Sequence, residues 1–193
     1  TIRGMWPAPI LDLLGIDLPI LQAPMAGAQR SALAIAVSEA GGLGALPCAL
    51  LRPDDIRGEV AAIRRATARP FNLNFFCHDM AEPDPTQEQR WRSALAPYYR
   101  ELGIEPPVPS TAGARRPIDT ATVDLLERFR PKIVSFHFGL PEEDQVRALK
   151  QAGIILFGSA TSVAEAQKLA DAGIGLSTYI SRFVRERYAR KLD

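Results

Sequence analysis

The chain has 193 residues, of which 47% are hydrophobic and 23% charged, with a formal net charge of +1. That length buries a core without disulfides or a metal, so small charge leaves no field to recruit nucleic acid or an acidic membrane, and no apolar run approaches the ~18 residues of a membrane span. Cys48 and Cys77 lie in apolar runs and only two histidines are present, which reads as buried reduced thiols in a cytoplasmic protein with no metal site.

The N-terminal stretch does not read as a signal peptide, because Asp12 and Asp17 interrupt its apolar part. PILQAPMAG (Pro19 to Gly27) is a short apolar run ended by Pro and Gly. It predicts a buried strand centred near Leu21 and the loop after it. Ser31 is the expected cap of an alanine-rich helix that Gly41 and Gly42 stop. A strand near Ala45 follows, then the helix RPDDIRGEVAAIRRAT, acidic at its start and basic at its end as the helix dipole favours. A third strand centres near Leu73. Residues from about 79 to 118 form a polar, Pro-rich insertion, irregular apart from one helix from about Glu88 to Leu102.

IDTATVDLLERFRP is a helix with Asp119 or Thr120 as its cap, followed by a strand near Ser135. PEEDQVRALKQAG is the next helix, the fifth strand centres near Leu156, and SVAEAQKLADAG is a helix capped by Thr161 or Ser162. After Gly173 the alternation stops. The spacing of Ile180, Phe183, Val184 and Tyr188 predicts a tail helix over Thr178 to Lys191. Strands alternating with helices imply a parallel sheet, here in a single domain over residues 1–193. The loop A-P-M-A-G-A after the first strand lacks the G-x-G-x-x-G of a dinucleotide fold. The unusual residues fall just past strand C-terminal ends, where barrels carry their sites. The expected fold is α/β, a TIM-barrel-type parallel sheet forming an incomplete barrel of about five βα units.

PILQAPMAGA, AVSEAGGLGALPCALL, RPFNLNFFCH and IVSFHFGLP together resemble the nitronate monooxygenases, formerly called 2-nitropropane dioxygenases, over about Pro9 to Gly173. The resemblance implies an FMN-dependent (β/α)8 barrel, a flavoprotein that oxidises alkyl nitronates with molecular oxygen (O2). It implies that the backbone of Ala23, Pro24, Met25, Ala26 and Gly27 lies against the flavin ring. Small residues suit so close an approach; an ordinary strand-ending turn is the alternative. It also implies that Asn74 hydrogen-bonds the flavin, where otherwise it closes a turn. His137 resembles the histidine on the substrate side of the pocket, with a core histidine as the alternative. Strand alternation turns Phe136 and Phe138 the other way and leaves His137 and Ser135 on the barrel side.

Family members continue with an A-G-G-H segment that carries the catalytic base, and with glycine-rich loops for the FMN phosphate. No such segment follows Gly173, so no catalytic residue is assigned here and flavin retention is expected to be weak. Two alternatives therefore stand beside the oxygenase. One is a catalytically inactive barrel fragment that has lost the phosphate site and the base, and that forms a homo-oligomer through open sheet edges. The other is a related FMN-dependent reductase.

Overall fold

Short apolar runs become strands wherever a helical segment returns the chain to the same end of the sheet. The computed structural model describes residues 8–80, 82, 84–107 and 116–176; the tail helix expected over Thr178 to Lys191 lies outside them. The strands are β1 (Gly44–Pro47), β2 (Phe71–Phe76), β3 (Ile133–His137), β4 (Ile155–Gly158) and β5 (Gly175–Leu176). The helices are α1 (Ala8–Leu14), α2 (Ser31–Glu39), α3 (Pro53–Ala66), α4 (Pro85–Leu102), α5 (Thr120–Phe129), α6 (Glu143–Gln151) and α7 (Val163–Asp171). The sheet runs β1-β2-β3-β4-β5 and every neighbouring pair is parallel. Crossovers between parallel strands are right-handed as a rule, so laying each next strand on the same side of the last keeps the crossover helices on one face. That sequential order is the order of a barrel wall, whereas a doubly wound sheet reverses direction at its middle.

The chain forms two compact units, one of residues 1–78 and 115–193 and the other of residues 79–114. In the first, strand alternation sends Leu46, Leu73, Phe75, Val134, Phe136 and Leu156 into one core with Ile56, Val60 and Ile63 of α3, Leu126 of α5 and Leu149 of α6. Each such fully buried side chain contributes roughly 1.5–3 kcal/mol. On the opposite face Leu43, Ile133 and Phe157 pack with Leu11, Leu14 and Ile16 around α1. In the second unit, Asp84 caps α4 by accepting from the backbone N–H groups of Thr86 and Gln87 at 2.8 and 3.3 Å. The left-handed Gly103 ends it.

Three local expectations are corrected. The strand expected at Leu21 is a single parallel bridge, Leu21 to Leu43. Beyond it the side chain of Gln22 replaces the missing strand: its Oε1 accepts from Ala45 N at 3.1 Å, and its Nε2 donates to Ala45 O at 3.2 Å. Gln29 Nε2 donates to the same carbonyl at 2.7 Å. Second, Ser31 is the first residue of α2, not its cap, and no side chain of its own segment takes that role. Glu59 of α3 accepts instead from Ser31 N at 2.9 Å and pairs with Arg30 at 3.1 Å. Burial raises the Glu59 pKa, but these partners outweigh it and hold the carboxyl below its ordinary value. Third, the alternation continues past Gly173, because Gly175 and Leu176 pair with Phe157 and Gly158 as β5. A Cβ on Gly175 would lie 2.9 Å from the Phe157 ring.

The tightest approach in the first unit is at Gly44, where a Cβ would stand 2.0 Å from the Ala34 carbonyl oxygen of α2. Backbone cannot yield as a side chain can, so Gly44→Ala should cost about 1–3 kcal/mol in urea unfolding. Gly58, inside α3, has nothing within 4 Å of its would-be Cβ. Gly58→Ala should therefore stabilise by about 0.5–1 kcal/mol in the same experiment.

Candidate functional site

The inner face of β2 and β3 carries polar side chains where the floor below it is apolar. The ladder sets Asn74 opposite Ser135 and Phe76 opposite His137. Asn72 Nδ2 donates to Ser135 Oγ at 2.7 Å, and Asn74 Nδ2 donates to the same oxygen at 2.9 Å and to the Ser135 carbonyl at 3.3 Å. A hydroxyl has two lone pairs and one proton, so two incoming N–H groups leave the Ser135 O–H free to donate elsewhere. Asn72 Oδ1 is buried with no partner among the described residues. An unmatched buried carbonyl costs roughly 1–3 kcal/mol, and its position marks a place where a donor belongs.

That place is a cavity of about 460 Å³. Ile20, Leu21, Pro24 and Phe157 give it apolar walls, and Asn72, Ser135 and His137 give it one polar side. A second cavity of about 540 Å³ lies toward α7, between Phe138, Leu140, Thr161, Glu165 and Lys168. His137 and Ser159 line both. His137 ends β3, with Nδ1 2.9 Å from Ser159 Oγ and its ring edge-on to Phe76 at 6.4 Å. Burial lowers its pKa from the ordinary 6.5, so the imidazole is neutral at pH 7. The backbone then turns sharply: Phe138, 65% exposed, sits at φ +65°, and Gly139 follows at φ +123°.

Of the residues singled out in the sequence, the cavity takes in Ala23, Pro24 and His137. Met25, Ala26 and Gly27 form the adjoining turn, closed by Ala28 N to Met25 O at 3.1 Å with Gly27 at φ +85°. The Met25 side chain is 46% exposed and stays off the cavity wall. Asn74 is buried at 1% exposure with its amide N–H groups on Ser135, and the wall position falls to Asn72, one pleat deeper. Asn72 escaped the sequence reading although the N-x-N spacing in FNLNFF puts both amides on one face. Cys48 and Cys77 lie outside the cavity; burial pushes the Cys48 thiol far up and the Cys77 thiol to about 12, so neither is a nucleophile. Among the described residues no cluster of His, Cys, Asp or Glu could hold a metal, and no helix is long and apolar enough to cross a membrane.

A sequential parallel sheet with a polar-sided cleft running to the C-terminal strand ends defines an α/β protein of TIM-barrel type. Residues 8–178 match the family model described as nitronate monooxygenase. Curated nitronate monooxygenases of Paraburkholderia phytofirmans and Pseudomonas aeruginosa are 45% and 43% identical to it. Those alignments cover 86% and 83% of this chain but 45% and 46% of the relatives, so the chain spans about half the length of the curated relatives it matches. Among solved structures, a nitroalkane oxidase from Streptomyces ansochromogenes superposes with a TM-score of 0.73 at 33% identity, over 86% of this chain and 46% of that one. FabK from Thermotoga maritima follows at 0.59 and 28%, over 86% and 41%. The chain belongs to the nitronate monooxygenase family, a family of oxidoreductase enzymes.

A histidine whose folded pKa lies below its unfolded value takes up its proton more readily when the chain unfolds. Stability is then unaffected well above pH 6.5 and falls as the pH drops from about 6.5 through the folded pKa. His137→Gln should flatten that acid-side loss, measured as urea midpoints between pH 7.5 and 5.

Proposed function

We propose that the cleft is the flavin and substrate site of an FMN-dependent monooxygenase acting on alkyl nitronates with O2. The observation that carries the reading is the combination of a neutral His137 with the unmatched Asn72 Oδ1 on one side of an otherwise apolar cavity. The cavity fits an isoalloxazine in chemical character. A flat, largely apolar ring needs apolar walls, and its imide edge offers an N–H between two carbonyls. Asn72 Oδ1 supplies the acceptor for that N–H and the free Ser135 O–H a donor for a carbonyl. The Ala23–Gly27 loop would supply backbone against the ring, anchored at its base by Gln22 and Gln29 on Ala45. Asn74 would act by orienting Ser135.

Bound there, FMN would supply the redox chemistry, taking electrons from the nitronate and passing them to O2. The chain's own contribution is positioning. Apolar walls keep water from the reacting carbon, and the neutral imidazole of His137 gives one N–H to a nitro oxygen. A nitronate arrives as the anion, so the residues in hand need not abstract a proton. The free thiols Cys48 and Cys77 suit a reducing cytoplasm.

Two measurements test the reading. With FMN present, oxygen uptake should follow addition of an alkyl nitronate; consumption of a reduced nicotinamide without nitronate oxidation would overturn it in favour of a reductase. In a fluorescence titration, Asn72→Ala should weaken FMN binding about fivefold, the worth of one hydrogen bond near 1 kcal/mol. Unchanged affinity would remove Asn72 from the site.

A further inference from the structure

We propose that Ser159 is a positioning residue that fixes the tautomer of His137, keeping the ring proton on Nε2 so that the imidazole offers the cleft a donor and not a base. The destination of the Ser159 hydroxyl proton decides the tautomer. Alternation along β4 puts Phe157 and Ser159 on the inner face, and Ser159 N continues the ladder by donating to Phe136 O at 3.1 Å. Ser159 Oγ then has two partners in reach, a ring nitrogen whose role follows the tautomer and a carbonyl that accepts. One is His137 Nδ1 at 2.9 Å; the other is that same Phe136 carbonyl, at 3.5 Å. An O–H···O hydrogen bond is weak at 3.5 Å, and the carbonyl is already shared. The proton therefore goes to Nδ1. A neutral imidazole that accepts at Nδ1 carries its proton on Nε2.

Among the described residues no neighbouring charge opposes this assignment. Glu165 of α7 lines the outer cavity with His137, but its carboxylate accepts from Thr161 N at 2.5 Å and Thr161 Oγ1 at 2.8 Å. Lys168, also on α7, lines the same cavity and disfavours a second positive charge. Just past β2, the Cys77 backbone N–H donates to the His137 carbonyl while its thiol stays protonated. His78 lies one residue on, with its ring against Phe76. Among the described residues, then, the only side-chain hydrogen bond to Nδ1 comes from Ser159. The consequence for substrate choice rests on the proposed function. A donor at Nε2 matches an anionic nitronate, whereas a neutral nitroalkane needs a base to take its proton. The tautomer itself does not depend on that reading.

Long-range ¹H–¹⁵N spectra of the intact ligand-free chain read the tautomer directly. Only two histidines are present, so His137→Gln assigns the signals. The expected wild-type pattern is an accepting Nδ1 and a protonated Nε2; a protonated Nδ1 would overturn the proposal. Ser159→Ala removes the hydroxyl that holds Nδ1 as an acceptor, so the Nδ1 resonance should move toward the position of a ring that averages its two tautomers. Ser159→Thr, which keeps the hydroxyl, should restore the wild-type tautomer. An unchanged tautomer in Ser159→Ala would mean that the contact is only structural, and that result sinks the idea. Should Ser159→Ala fail to fold, the wild-type spectrum alone decides. Failure to oxidise nitronates would leave these spectra untouched and count only against the proposed function.

Discussion

The pairing of β2 with β3 is the contact on which the rest of the unit depends. It is the longest ladder in the sheet, running from Asn72 with Ile133 to Phe76 with His137. Side chains alternate along a strand, so its register decides which residues meet the helices and which meet the cleft. A slip of β2 by one residue would drive Asn72 and Asn74 into the layer of α3 and α5 and turn Leu73 and Phe75 toward the cleft. The bonds from two amides to one hydroxyl oppose that slip: Ser135 Oγ receives both asparagines only in the observed register. Buried amides without partners cost enough to make the alternative costly.

The inner face is graded from floor to rim. Leu43, Ile133 and Phe157, packed on α1, make an apolar floor. Above it lie the two asparagines and Ser135, and at the rim His137 and Ser159. A ligand entering from the strand ends therefore meets the neutral histidine first and the unmatched carbonyl of Asn72 deeper, on one side only. This graded face is carried by the segments that match the nitronate monooxygenase family, and it accounts for why a half-length match already contains a site-like cleft.

The alternation of apolar runs with helical periods made the parallel α/β order legible, because each strand from Ala45 to Leu156 is flanked by punctuation visible in its own segment. What escaped was set at a distance. Leu21 has the composition of a strand, yet the side chain of Gln22 takes over the ladder after one bridge. Ser31 has the composition of a cap, yet Glu59 does that work from 28 positions away. A strand of two residues, Gly175 and Leu176, has no period to read. At the site, alternation gave His137 its correct face. It could not say which of Asn72 and Asn74 reaches the cleft, since that depends on how deep along β2 the cavity lies.

The loan of Glu59 to α2 has a bearing on how this chain comes together. A helix whose first turn is completed by a residue of the following crossover cannot finish forming as its own segment emerges. α2 must wait for β1 and much of α3, and the pair therefore matures as one cooperative block. A chain cut between Pro47 and Pro53 would separate the helix start from the carboxylate that completes it. The natural breakpoint for dividing or permuting this protein thus lies after α3, not between the units that the strand–helix rhythm suggests.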